Sequence, residues 1–107
     1  MTQRAERKAP LKITHELLFA LRNNIPLNKL FERHLNVETK YREGFLRFQC
    51  HHCSEMNSAV NPRTNLARCF TCGKNFNPID LVMEIKRCSF QCAVTLLMTW
   101  FPTHTRE

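Results

Sequence analysis

Carboxylates are sparse in this sequence. Its 107 residues include a single aspartate, Asp80, and the glutamates are scattered with no acidic pair at a useful spacing. Metal-assisted nucleotidyl transfer needs clustered carboxylates to hold paired magnesium ions. That machinery is missing, so independent enzymatic activity is not expected. Long apolar runs are missing too. The longest, Leu17–Leu21 and Leu96–Phe101, fall well short of the roughly 20 residues that cross a bilayer. No secretory signal precedes the cysteines, and there are no repeats and no low-complexity tract. The expectation is a reduced, cytoplasmic chain with no membrane segment.

What the chain does have is cysteine at a telling spacing. Cys50-His51-His52-Cys53 and Cys69-Phe70-Thr71-Cys72 stand fifteen residues apart. A two-residue gap lets one tight turn aim both sulfurs at an ion about 2.3 Å away, and two such turns complete a tetrahedron. An even count of six cysteines also admits a disulfide framework, but such scaffolds are small, loop-rich and secreted. A redox Cys-x-x-Cys would need only one pair, where a strand meets a helix. The spacing therefore points to one structural Zn2+ held by Cys50, Cys53, Cys69 and Cys72. Four cysteines satisfy the ion without His51 or His52, which are expected to be exposed on the knuckle. Cys88 and Cys92, four residues apart, are read as small buried apolar residues on a helix.

The formal charge is +7. Four thiolates and a divalent ion would lower this to about +5, which is still basic. The excess lies in the first half, where ten Lys/Arg face five glutamates in residues 1–50. A small basic domain favours a polyanionic partner, most often nucleic acid.

Along the chain, residues 1–12 form a basic arm and residues 13–107 a single domain. Thr14 caps a helix carrying Leu17, Leu18 and Leu21. Pro26 fits the first turn of a second helix, with Leu27, Leu30, Phe31 and His34 or Leu35 on one face. Residues 36–44 read as a turn ending at Gly44. Strands are expected at Phe45–Gln49, Ser58–Asn61 and Leu66–Phe70, with Arg68 pointing away from Ala67 and Cys69. Gly73 suits a metal knuckle, where a small residue lets N–H groups approach the sulfurs. Asn77-Pro78 opens a third helix and Ser89 a fourth, whose stripe is Phe90, Ala93, Val94, Leu97, Met98 and Phe101. The fold class is α+β: a small antiparallel zinc-ribbon sheet (about residues 45–76) between N-terminal helices and closing helices over residues 78–101.

From Cys69 to Val94, with Cys72-Gly73, Ile79-Asp80, Ser89-Phe90 and Ala93-Val94, the chain resembles the CHC-type zinc-binding domain of bacterial and phage DNA primases. Ile25–Leu35 resembles the short helix that precedes that domain. Three departures stand out. Cys53 replaces the usual histidine, the lysine-threonine-proline-serine stretch of the hairpin is replaced by Glu55-Met56-Asn57-Ser58, and Phe76 stands where glycine precedes Asn77. Zinc accepts either cysteine or histidine, so the first leaves metal binding intact.

The resemblance implies a DNA-binding protein, active in DNA replication or mobile-element maintenance, that recognises single-stranded template. A primase, helicase or replication initiator encoded elsewhere would supply the chemistry. Arg47, Arg63, Arg68 and Lys74, with Phe45 or Phe70 as stacking platforms, are the expected DNA contacts. The alternative is a protein-interaction adaptor in which zinc only stabilises the fold and the helices dock a partner.

Overall fold

A computed structural model describes residues 12–102. The arm expected over residues 1–12 therefore lies, apart from Lys12, outside the described residues. Side-chain caps start three of the four helices. Thr14 Oγ1 accepts from the Leu17 N–H at 3.1 Å and opens α1 (His15–Asn23). The second helix, α2 (Leu27–Arg33), has Pro26 as its N-cap residue, in extended backbone, rather than within its first turn.

The strands are β1 (Thr39–Arg42), β2 (Phe45–Phe48), β3 (Ser58–Asn61), β4 (Leu66–Cys69) and β5 (Asn75–Phe76). They form one antiparallel meander in chain order. Helix α3 (Pro78–Lys86) begins with a reciprocal capping box: Asn77 Oδ1 accepts from the Asp80 N–H at 2.8 Å, and Asp80 Oδ2 accepts from the Asn77 N–H at 3.1 Å. Helix α4 (Phe90–Trp100) begins at Ser89, whose hydroxyl accepts from the Cys92 N–H.

Strand alternation divides the sheet into two chemically distinct faces. Leu46, Phe48, Ser58, Val60, Ala67, Cys69 and Phe76 are buried on one face. On the other, cross-strand pairing sets Lys40, Arg47, Ala59, Arg68 and Asn75 in a row over all five strands. The helices cover the apolar face. Phe31 of α2 packs its ring 4.6 Å from that of Phe48. Leu21 of α1, Ile79, Leu81 and Val82 of α3, and Ala93, Val94 and Leu97 of α4 belong to the same core. Burying each such side chain contributes about 1.5–3 kcal/mol.

The N-terminal helices are tied to the sheet by one residue of the β3–β4 turn. Asn65, in the left-handed region at φ 55, donates through Nδ2 to the carbonyls of Arg22 and Ile25 at 2.9 and 2.7 Å. Its Oδ1 accepts from the Leu27 N–H at 3.1 Å, satisfying the first amide of α2, whose N-cap Pro26 makes no side-chain cap.

Three further sequence expectations change. Residues 39–42 form a strand rather than part of a turn. All four side chains are exposed on a sheet edge, so no apolar alternation announced it. The turn itself is Glu43-Gly44, with φ of 53 and 84, the positive values a two-residue hairpin needs. Phe90 leaves the apolar stripe of α4 and is exposed. Cys88 and Cys92 do not share a helix: the N-cap Ser89 falls between them, Cys88 is half-buried and Cys92 is exposed.

Candidate metal centre and outer sheet face

The two knuckles are built alike. In the first, the Ser54 N–H bonds the Cys50 carbonyl at 2.7 Å and the Cys50 N–H bonds the Glu55 carbonyl at 2.9 Å. In the second, the Gly73 N–H bonds the Cys69 carbonyl at 2.8 Å and the Cys69 N–H bonds the Lys74 carbonyl at 2.9 Å. The residue after each second cysteine is left-handed, Ser54 at φ 69 and Gly73 at φ 79. Gly73 is thus favoured for its backbone angle. A Cβ there would meet nothing within 4 Å, so crowding is not the reason.

These turns bring the four Sγ atoms of Cys50, Cys53, Cys69 and Cys72 within 4.8 Å of one another. The Cys50–Cys72 and Cys53–Cys69 sulfur pairs lie 3.9 and 3.5 Å apart. A tetrahedral ion with sulfurs at about 2.3 Å requires sulfur–sulfur edges of about 3.8 Å. The spacing fits, and all four cysteines are free of disulfides. Amide donors already aim at the sulfurs: His52 N–H lies 3.4 Å from Cys50 Sγ, and Cys72 N–H lies 3.5 Å from Cys69 Sγ. Ser58 Oγ, buried without a conventional hydrogen bond, faces the sulfur of its cross-strand neighbour Cys69. A thiolate is the acceptor that satisfies it.

Electrostatics point the same way. Burial raises Cys69, but the Cys72 N–H, the Ser58 hydroxyl and the neighbouring thiols together bring it down to about 6. At Cys53 the Glu55 N–H lowers the value, yet burial and the sulfurs of Cys69 and Cys50 prevail and push it up to about 12. Cys72 is also raised; the Lys74 N–H opposes burial and the same two sulfurs. Crowded thiols resist successive ionisation, and a divalent cation supplies the charge that lets all four ionise. The site therefore holds one structural Zn2+, which cross-links the two knuckles. His51 and His52 are exposed, as anticipated. His52 Nδ1 lies 4.0 Å from Glu84 Oε2 on α3.

The opposite face of the sheet carries a shallow groove of about 430 Å³ lined by Phe45, Arg47, Asn61, Leu66, Arg68, Phe70 and Asn75, among others. Arg68 lies with its guanidinium carbon 5.9 Å from the Phe70 ring centre and donates to Asn75 Oδ1 at 3.2 Å. Arg47 sits 3.7 Å from Glu43, and its buried Nε has no hydrogen-bond partner. Phe45, Leu66 and Phe70 are 45, 40 and 57% exposed, a large apolar surface to leave in water beside two arginines.

Of the proposed contacts, the groove gathers Arg47, Arg68, Phe45 and Phe70. It does not include Arg63 or Lys74. Arg63 is exposed in the β3–β4 turn. Lys74 lies beside Asp80 and Glu84 at a second depression. Asn61 and Asn75 were missed. Alternation along β3 could have found Asn61, but β5 spans only two residues and left no pattern for Asn75.

The family profile described as CHC2 zinc finger matches residues 13–106, nearly the whole chain. A search of curated proteins finds no match. The chain belongs to the CHC2 zinc finger family, the zinc-binding domain of the DNA primase type, with cysteine at all four ligand positions.

Proposed function

We propose that this CHC2 zinc finger binds single-stranded DNA on the outer face of its sheet and presents it as template to a catalytic partner. The carrying observation is the groove that sets Arg47 and Arg68 between Phe45 and Phe70. Single strands are held by cations tracking the backbone and by aromatic rings on which bases stack. Arg47 on β2 and Arg68 on β4 are two strands apart, about 10 Å. Lys40 extends the same row to the sheet edge. Cys69 faces the other side of β4, so the ion would support the platform from behind the bound strand.

The chain contributes contact rather than catalysis. Its sole aspartate, Asp80, is engaged in the capping box of α3. Among the described residues the one cluster of metal-binding side chains is the four cysteines. In this reading the chain supplies template contact to a separate partner: a primase, helicase or replication initiator. No helix of the described residues is long and apolar enough to cross a membrane, which is compatible with work beside DNA in the cytoplasm.

The test is fluorescence anisotropy with labelled single-stranded DNA at several salt concentrations. Arg47→Ala with Arg68→Ala should weaken binding and flatten the log–log salt slope by about 1.4, two phosphates at ~0.7 each. Phe70→Ala should cost about 1–3 kcal/mol. Unchanged affinity and slope in the arginine variant would remove this surface from consideration. If the parent fails to bind DNA at low salt yet captures a protein partner, the adaptor reading takes its place.

A further inference from the structure

The outer groove contains two asparagines whose amide groups are each held in one orientation. Asn61 ends β3 on the same face as Ala59 and its partner Arg47, and its Oδ1 accepts from the Arg63 N–H at 3.0 Å. Asn75 on β5 stands opposite Arg68, and its Oδ1 accepts from Arg68 Nη1 at 3.2 Å. A backbone amide and a guanidinium can only donate, so each contact fixes which end of the side chain is oxygen. Both Nδ2 groups are left without an acceptor among the described residues, on exposed side chains that line the groove.

The other polar side chains of the groove have the same chemistry. Arg47 and Arg68 carry donors and no acceptor, and Arg47 Nε is buried without a hydrogen-bond partner. Thr64 supplies a hydroxyl, which adapts to either role. Glu43, 3.7 Å from Arg47, is not among the lining residues, and among the described residues no other carboxylate is either. The groove is therefore rich in donors and poor in acceptors.

We propose that this groove selects keto bases over amino bases, with Asn61 and Asn75 reading the exocyclic group; the inference rests on the single-strand binding proposed above. Thymine, uracil and guanine carry a carbonyl at the ring position where cytosine and adenine carry an amino group. With phosphates on arginine and ring faces on Phe45 or Phe70, the base edge remote from the sugar reaches into the groove. The exocyclic group lies on that edge. A carbonyl there accepts from Nδ2. An amino group sets donor against donor, and each is left desolvated without a partner. Asn61 on β3 and Asn75 on β5 are two strands apart, about 10 Å, so they serve different nucleotides of one strand.

The experiment measures the zinc-loaded full chain against labelled oligodeoxyuridine and oligodeoxycytidine of equal length by fluorescence anisotropy, at neutral pH and low salt. The two pyrimidines are alike in size and differ in the groups at C4 and N3. Oligodeoxyuridine should bind on the order of 10-fold more tightly. Asn61→Asp with Asn75→Asp keeps the oxygens that accept from Arg63 and Arg68 but replaces each free donor by an acceptor. Added negative charge should weaken both oligonucleotides, and the uridine-to-cytidine ratio should fall to unity or below. Equal binding of the two by the parent protein, or tighter binding of cytidine, would overturn base selection while leaving single-strand binding intact. That comparison needs no variant, so a misfolded variant cannot hide the result. An unchanged ratio in a folded double variant would overturn the role of these two amides. Failure of the parent to bind either oligonucleotide would overturn single-strand binding and this inference with it.

Discussion

Ser54 and Gly73 occupy equivalent positions after the second cysteine of each knuckle, and both are left-handed. A side chain in that region costs about 1–2 kcal/mol. Gly73→Ala should therefore destabilise the zinc-loaded protein by about 1 kcal/mol, and Ser54→Gly should be neutral or slightly stabilising, as read by denaturant midpoint. Equal losses in both would contradict the backbone explanation. Ser58 acts on the metal through a different route, since its buried hydroxyl faces Cys69. Ser58→Ala should lower zinc affinity on the order of 10-fold in a chelator competition; unchanged affinity would make the hydroxyl a bystander. At this scale the ligands were plain in the sequence, because Cys-x-x-Cys spacing encodes its own geometry. Ser58 was not, because only strand pairing brings it to Cys69.

At the scale of elements, caps were more informative than periodicity. Thr14, Asn77 and Ser89 mark helix starts that the structure reproduces. The short outer strands were harder to read. Thr39–Arg42 buries nothing and Asn75–Phe76 is too short for alternation, so neither carries a local signal; both exist because a neighbouring strand offers hydrogen bonds. The role of Asn65 was equally hidden, because its partners Arg22, Ile25 and Leu27 lie about forty residues earlier. Asn65→Ala removes three hydrogen bonds and places alanine in a left-handed turn, for a loss of about 2–4 kcal/mol. Hydrogen exchange should accelerate in α1 and α2 more than in the knuckles. A loss confined to the β3–β4 turn would mean that apolar packing alone holds these helices.

For the whole molecule, the ion and the fold are coupled. Structural zinc contributes apparent binding energy of about 10–16 kcal/mol, as large as the total stability of an ordinary domain, about 5–15 kcal/mol. Exhaustive chelation should collapse the dispersion of amide resonances from the sheet, and one equivalent of zinc should restore it. Persistence of those resonances without metal would refute the coupling. The sign of the pH effect follows from the thiols. Cys53, near 12, and Cys72, also raised, must each give up a proton to bind the ion, whereas Cys69, near 6, ionises readily. Zinc affinity should thus fall as pH falls, with more than one proton released per ion bound in unbuffered titration. The α+β class was legible because the apolar alternation of Leu46 and Phe48 and the stripe of α4 each point to one shared core. The groove was not, since the turns that bring Phe45 and Phe70 to one face of the sheet leave no mark on either strand alone.

Strand β4 places a cation and a metal ligand on adjacent residues, Arg68 and Cys69, facing opposite sides. Inserting one amino acid between Ala67 and Arg68 would rotate the remainder of the strand by half a turn, sending a guanidinium toward the interior and a sulfur into solvent. Length variation among related genes should therefore be purged from this stretch and tolerated at the tip of the Glu43-Gly44 hairpin, where neither side of the sheet depends on phase.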